Sequence, residues 1–264
     1  MQRAISICLF VLLAASGSEK LSAVTLDWDA VAWTAGSLSN SYDIDPSKPG
    51  NDITFSIGGD TANLIPDSAA PMAATPSLVT SLHGGLAVAQ QTLLLHLNLA
   101  NQAQVISVSV NFSANYTLGV QNVSFTIFDV DFGASSFQDQ LRSISALSID
   151  GITLIAPTIT TSVANSVSGS GLSQVVNGNA GSNNTGAGSG NGNVTISFGS
   201  NAIRSFSFLY GSGSTAPADP GTQKIGIHDL SFTPVPEINP AWTAILSCIS
   251  AAGVVFRHRA KFRK

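Results

Sequence analysis

Short runs in which apolar residues alternate with polar or small ones recur along much of this chain. Successive side chains of a β-strand point to opposite faces, so each run predicts a strand with one buried face. No comparable stretch has the apolar spacing of an amphipathic helix. The predicted strands are residues 52–57, 93–99, 105–112, 123–132, 144–149, 152–155, 194–198, 203–210 and 225–232.

Turn residues separate these runs. Asp150-Gly151 between two apolar stretches predicts a tight hairpin, and the glycines at 58–59 and 211–213 end other runs. Short strands without intervening helices predict an all-β domain over residues 24–233, an antiparallel β-sandwich of jelly-roll type. Within it, residues 177–193 contain only Gly, Asn, Ser, Ala and Thr, which predicts a flexible loop.

The charge of this central domain limits its partners. Residues 24–236 contain thirteen Asp and no Glu, against only Lys48, Arg142, Arg204 and Lys224, which gives a formal charge of about −9. Proteins that bind nucleic acid present a basic face to the phosphate backbone. We therefore expect no nucleic-acid partner.

The domain shows no constellation of an enzyme active site. A hydrolase needs paired carboxylates or a nucleophile with a base, and the domain has no Glu and only the histidines His83, His96 and His228. His96 stands in an apolar run, where a hydrogen-bonded strand residue is expected more often than a general base. We expect a non-enzymatic protein, with a secreted hydrolase as the least favoured alternative.

The N-terminus has the pattern of a secretory signal peptide. Arg3 precedes an apolar stretch over residues 4–15, and Leu21-Ser22-Ala23 has the small-x-small pattern of a cleavage site. We predict a signal peptide over residues 1–23, with residues 15–18 as a competing cleavage region. The two cysteines, Cys8 and Cys248, lie in the apolar terminal segments, so no disulfide is expected in the domain.

The C-terminus predicts a membrane anchor. Residues 238–256 carry no charged side chain, and nineteen residues of helix span about 28 Å, close to the ~30 Å hydrocarbon thickness of a bilayer. A basic cluster follows, which the positive-inside rule places in the cytoplasm. Its members are Arg257, Arg259, Lys261, Arg263 and Lys264.

The order Val235-Pro236-Glu237, apolar span and basic end resembles the PEP-CTERM sorting tail of exported proteins of Gram-negative bacteria. The resemblance covers residues 235–264, and Ile238 stands where that family has a second proline. It implies recognition by an exosortase-type membrane enzyme, cleavage near the motif, and transfer of an inner-membrane-anchored precursor to the cell surface or extracellular matrix of a biofilm.

A group of aspartates predicts a Ca²⁺ site. Asp129 and Asp131 end a strong strand run and Asp139 follows in the next loop, while Asp229 could join from a neighbouring strand. Several hard oxygen ligands from a strand end and its loop suit Ca²⁺. The alternative is that they are ordinary strand-end and turn aspartates.

Exposed aromatic side chains would indicate carbohydrate binding, because β-sandwiches can present aromatic platforms to sugars. The candidates are Trp33, Tyr42, Tyr116 and Tyr210, together with Trp28. The alternative is core packing, above all for Trp28 and Trp33 near the start of the domain. We thus expect a cell-surface or extracellular-matrix protein, or alternatively a carbohydrate-binding module that contacts extracellular polysaccharide and is delivered by the same tail.

Overall fold

The computed structural model describes residues 22–67, 74–179 and 188–237. The first 21 residues of the predicted signal peptide, the predicted membrane span 238–256 and the basic cluster 257–264 lie outside the described residues. Among the described residues, no helix is long and apolar enough to cross a membrane.

The described residues form sixteen strands and three short 3-10 turns, Thr61–Asn63, Gly171–Ser173 and Gly190–Gly192. The strands are β1 (Val24–Leu26), β2 (Ser39–Tyr42), β3 (Ile53–Gly59), β4 (Ser77–Val79), β5 (Thr92–Leu97), β6 (Val105–Phe112), β7 (Val120–Phe128), β8 (Phe132–Gly133), β9 (Phe137–Ser148), β10 (Leu154–Ile155), β11 (Thr158–Thr161), β12 (Asn165–Ser168), β13 (Val175–Gly178), β14 (Val194–Ser197), β15 (Ile203–Ser212) and β16 (Gln223–Pro234). The all-β prediction is confirmed for this part of the chain.

The strands pair antiparallel in one large sheet that curls on itself. One half has the order β2-β3-β6-β15-β9-β13-β12. The other half has the order β11-β14-β7-β16-β5-β4, with β1 beside β5 on the same side of β16. A single register pair, Ile203 with Val120, joins the two halves. Along the sequence, β5, β6 and β7 lie in alternating halves, as do β14, β15 and β16.

The two halves pack face to face because their strands alternate apolar and polar side chains. Stacked rings of Phe125 on β7 and Phe206 on β15 have centroids 4.8 Å apart, and the rings of Phe112 and Phe232 meet at 5.0 Å. Burial of each such side chain stabilises the fold by about 1.5–3 kcal/mol. The arrangement is consistent with the predicted β-sandwich.

All nine predicted strand runs contain an observed strand, and the hairpin at Asp150-Gly151 joins β9 to β10. Several boundaries differ: β9 begins at Phe137, well before the predicted run 144–149, so Asp139 lies within this strand and not in the expected loop. The run 123–132 breaks after Phe128, because Asp129 takes a left-handed conformation with φ of 66°. Asp129 and Asp131 therefore do not alternate along one continuous strand. Seven short strands were not predicted as separate strands, namely β1, β2, β4, β8, β11, β12 and β13; Phe132 of β8 is the last residue of the run 123–132.

The predicted loop 177–193 is shorter than expected. Asn177 and Gly178 belong to β13, and the residues before β14 form the 3-10 turn Gly190–Gly192. A Cβ on Gly178 would lie 1.8 Å from the backbone oxygen of Asp131, so only glycine permits this approach of β13. Residues 180–187 lie outside the described residues.

Candidate functional site

A polar groove lies at one end of the first half of the sheet, on strands β9, β12 and β13 and on the loop after β15. Its volume is about 460 Å³. Four amide and four hydroxyl side chains line it: Gln138, Gln140, Asn177, Asn179, Ser166, Ser168, Ser214 and Thr215. No charged side chain is among its lining residues, although Arg142 Nη1 donates to Oε1 of the lining residue Gln140 at 3.0 Å.

Strand alternation places these side chains outside the core. Leu141 and Val176 are register partners and are fully buried, so their neighbours Gln140 and Asn177 face outward as the next register pair. Asn177 is in turn paired with Ser166 on β12. Three adjacent strands thus contribute one polar residue each to a row along the floor of the polar groove.

Hydrogen bonds between lining residues hold the amides in place. Gln140 Nε2 donates to Asn177 Oδ1 at 2.8 Å, and Ser166 Oγ donates to Asn179 Oδ1 at 2.6 Å. The buried Gln138 is fixed at both ends: its Nε2 donates to Gly178 O at 2.8 Å, and its Oε1 accepts from the Thr215 backbone N–H at 3.1 Å. A primary amide offers two donors and an acceptor with two lone pairs, so these bonds leave hydrogen-bonding capacity in the groove.

The predicted calcium ligands Asp129, Asp131 and Asp139 lie near one another behind this groove, and all three are buried. Asp139 Oδ2 accepts from the Asp131 backbone N–H at 3.1 Å, and Asp139 Oδ1 accepts from Tyr210 Oη at 2.6 Å. Burial raises the pKa of Asp139 well above its usual range, opposed by the bond from Tyr210 and reinforced by the negative charges of Asp131 and Asp129. Asp139 is therefore stabilised in its neutral form.

The predicted four-aspartate Ca²⁺ site is not formed. Asp229 Oδ1 accepts from the Trp28 backbone N–H at 3.0 Å, and its charged neighbours are His228, Asp27 and Asp29. Within residues 22–67, 74–179 and 188–237, no group of three or more His, Cys, Asp or Glu side chains could hold a metal ion. Both oxygens of Asp139 are already occupied by donors from the protein.

The predicted aromatic platform is wrong. Trp33, Tyr42, Tyr116 and Tyr210 are all buried in the main hydrophobic core, at 8% exposure or less, so none of their ring faces can meet a sugar. Trp28 is fully buried and packs edge-on against Phe55, Tyr42 and Trp33, with centroids 5.3, 6.0 and 6.2 Å away. Burial of these large rings removes their apolar surface from water and stabilises the core, which explains why they are packed and not exposed.

The polar groove was missed by sequence reasoning. Its polar lining residues are Ser, Asn, Gln and Thr, which form no local motif, and they come together only because β13 pairs with β9 and β12 pairs with β13. The one local signal is Val175-Val176, a short β-branched pair that precedes Asn177. A two-residue signal does not distinguish a strand from a loop.

The predicted sorting motif follows β16 directly. Val235 N–H donates to Gly119 O at 3.0 Å, and the exposed Glu237 Oε1 accepts from Thr117 Oγ1 at 3.0 Å and Lys48 Nζ at 3.3 Å. These two hydrogen bonds, that from Thr117 first, lower the pKa of Glu237. Val235, Pro236 and Glu237 line a groove of about 660 Å³ together with residues 22–25, so both ends of the described chain meet there.

His96 and His228 make hydrogen-bond and packing contacts within the domain. His96 Nδ1 lies 3.2 Å from Pro66 O, and burial lowers its pKa despite the nearby Asp67. His228 Nε2 lies 2.7 Å from Gln90 Oε1, and its ring stacks on Phe128 at 5.0 Å. These contacts match the expectation that His96 is a hydrogen-bonded strand residue.

Comparison with known proteins gave one kind of match. No family model matches the chain, and no curated protein is significantly similar to it. Among solved structures, it is similar to a carbohydrate-binding module, TmCBM27, described as recognising mannan. The identity is 10%, the match covers 81% of this chain and 99% of that one, and the TM-score is 0.34.

Proposed function

We propose that this protein is a non-enzymatic carbohydrate-binding module of jelly-roll type that acts at the cell surface or in the extracellular matrix. The observation that carries the proposal is the polar groove, a preorganised concave site lined by amides and hydroxyls without a charged side chain. Sugar hydroxyls donate and accept hydrogen bonds, and fixed amides supply both functions at one position.

The charge distribution supports a neutral glycan as the ligand. An anionic polymer would be repelled by a domain with about nine excess negative charges, and Arg142, which donates to Oε1 of the lining residue Gln140 at 3.0 Å, places only a single positive charge beside the groove. Because the tryptophan and tyrosine rings of the described residues are buried, we expect hydrogen bonding rather than stacking to provide the affinity. Such binding is weak for a single sugar unit and increases with the number of units in contact.

Affinity for soluble neutral oligosaccharides tests this function. A glycan array identifies a ligand, and calorimetry then compares the protein with its Asn177→Ala variant. Loss of one hydrogen-bonding amide costs about 0.5–1.5 kcal/mol, so we expect binding about two- to twelvefold weaker. Asn98→Ala, which removes an exposed amide just after β5, is the matched control. An array without any hit, or equal affinities of both variants, rejects the function.

We further propose that the protein is exported and carries a PEP-CTERM-like sorting tail. The ordered domain supports this at both ends: β1 begins at Val24, immediately after the predicted cleavage site, and the exposed Pro236 and Glu237 follow the last strand. A membrane span at 238–256 and an exosortase-type enzyme complete the proposed route.

Mass spectrometry of the mature protein tests this route. An N-terminus at Val24 and a C-terminus near Pro236 or Glu237 are the expected products of cleavage at both ends. An intact Lys264 leaves a membrane anchor without processing. A retained Met1 in the envelope fraction contradicts the signal peptide.

A further inference from the structure

Three side chains form a directed series of hydrogen bonds that leads into the polar groove. Arg142 Nη1 donates to Gln140 Oε1 at 3.0 Å, and Gln140 Nε2 donates to Asn177 Oδ1 at 2.8 Å. A guanidinium group has only donors, so Arg142 determines which end of the Gln140 amide faces it. The orientation of Gln140 determines that of Asn177 in the same way. We call this series the Arg142 relay.

The Arg142 relay ends on a hydrogen-bond donor. Because Asn177 Oδ1 is turned toward Gln140, the other end of the Asn177 amide is Nδ2, which carries two N–H groups. Within the described part of the chain, no acceptor forms a hydrogen bond with Asn177 Nδ2. Asn177 lines the polar groove, so these N–H groups are available to a ligand.

The two other amides of the groove have the same polarity. Gln138 Oε1 accepts from the Thr215 backbone N–H at 3.1 Å, and Asn179 Oδ1 accepts from Ser166 Oγ at 2.6 Å. All four amide oxygens of the groove therefore already accept a hydrogen bond from the protein. Hydroxyl groups rotate and serve either role, so the hydroxyls of the groove do not reverse this polarity. The groove favours a ligand group that accepts hydrogen bonds.

We propose that the polar groove recognises an acylated neutral glycan, with Asn177 Nδ2 donating to the carbonyl oxygen of an N-acetyl or O-acetyl group. This inference rests on the proposed glycan binding and names the ligand class of the same groove. A carbonyl oxygen accepts without donating, whereas a sugar hydroxyl also carries a hydrogen that the engaged amide oxygens accept less readily.

A carboxylate also accepts without donating, but the formal charge of about −9 on the domain repels it. Arg142 is a positioning residue in this proposal, because it acts on the ligand only through the orientation of Gln140 and Asn177.

Two matched pairs of neutral probes test the acyl recognition by calorimetry. The tetramer of N-acetylglucosamine is compared with cellotetraose, which has a hydroxyl in place of each acetamido group. Acetylated glucomannan oligosaccharides are compared with the same preparation after alkaline deacetylation. We expect the acylated member of at least one pair to bind about two- to twelvefold tighter, the effect of one net hydrogen bond. The first pair reports on N-acetyl groups and the second on O-acetyl groups.

Variants of the Arg142 relay should change this preference. Arg142→Met removes the donor, so both amides can reverse and the affinity ratio should fall toward one. Arg142→Lys supplies another group that only donates and should restore the preference. Asn177→Asp still accepts from Gln140 but has no N–H group, so it should lose the preference. Arg204→Met removes an exposed positive charge outside the groove and should keep the ratio of the original protein.

The outcomes separate this inference from glycan binding itself. Equal affinities within both pairs, or array hits confined to unacylated glycans, overturn the acyl recognition and leave glycan binding standing. A preference that persists in both Arg142→Met and Asn177→Asp overturns it as well, provided that thermal melts show the variants to be folded. Absence of binding to every probe together with a blank glycan array rejects both proposals.

Discussion

Tyr210 Oη donates a hydrogen bond of 2.6 Å to Asp139 Oδ1, and both side chains are completely buried. Burial is also the main reason why the pKa of Tyr210 is raised well above its usual value. The pair connects the neighbouring strands β9 and β15 beneath the polar groove. It combines a phenol that stays protonated with a carboxyl whose neutral form is favoured.

Asp139 should make the stability of the fold depend on pH. An acid whose pKa is raised by folding contributes stability at acidic pH, and this contribution is lost as the pH rises from the ordinary value near 4 through the raised folded value. The side chain at this position in the variant Asp139→Asn cannot ionise, so the variant does not lose this stability as the pH rises. The melting temperature of the variant minus that of the unmodified protein should therefore increase from pH 4 to pH 9. Thermal melts of both proteins measure this difference, and parallel curves would contradict the prediction.

Removal of the Tyr210 hydroxyl should destabilise the domain. Tyr210→Phe keeps the ring but leaves a buried carboxyl oxygen without this donor, which costs about 1–3 kcal/mol. Urea unfolding gives the free energy of unfolding of both proteins. A surface change such as Ser168→Ala should stay within about 0.5 kcal/mol and serves as the control.

Trp28 should be a determinant of stability and not of glycan affinity. Trp28→Ala removes a fully buried ring and its three edge-on contacts, at an expected cost of about 3–5 kcal/mol in the free energy of unfolding. Val88→Ala, at a position 75% exposed, is the control. Denaturant titration measures both, and a cost below 1 kcal/mol for Trp28→Ala would show that the ring is not packed as described.

Gly178 should tolerate no side chain. An added Cβ would meet the Asp131 backbone oxygen, so Gly178→Ala must push β13 away from the residues beside it and is expected to cost about 1–3 kcal/mol. The displacement also moves Asn177, so oligosaccharide binding should weaken in the same variant. Full stability of Gly178→Ala would exclude the close approach.

Asp150 should fix the hairpin between β9 and β10. Its carboxylate accepts from the backbone N–H groups of Ile152 and Thr153, both at 2.9 Å, and from Thr153 Oγ1, and these bonds lower its pKa to about 2. Because this pKa is lowered, the stabilisation is present above pH 4 and is lost as the pH falls toward 2. Asp150→Ala should lower the melting temperature at pH 7 and have little effect near pH 2.

The sequence predicts the strands with strong alternation and not the weak ones. Runs such as 105–112 carry apolar residues at every second position and are confirmed at their full length. β12 and β13 have one or two apolar residues each; β13 forms on the edge of β9 and β12 forms on the edge of β13, which is a tertiary effect. Local composition therefore indicated a loop at 177–193.

The candidate site was less predictable than the fold. Aromatic residues can serve either a core or a platform, and sequence position does not tell whether the ring of Trp33, between β1 and β2, or that of Tyr42, on β2, meets solvent. The amides of the polar groove are separated by up to 41 residues in the chain and come together only through strand pairing. Register, rather than any local motif, creates the groove.

The position of β16 determines how the domain bears mechanical load. This strand leads directly to the proposed anchor, and it is hydrogen-bonded to β7 on one side and to β5 and β1 on the other. A pulling force on the tail acts along β16, whereas the hydrogen bonds of β16 to its neighbours are perpendicular to the strand. The force therefore loads all of these bonds at once in shear, and they cannot break one after another. We expect a molecule held by this end to resist drag on a bound polymer far better than one attached through a strand at the edge of the sheet.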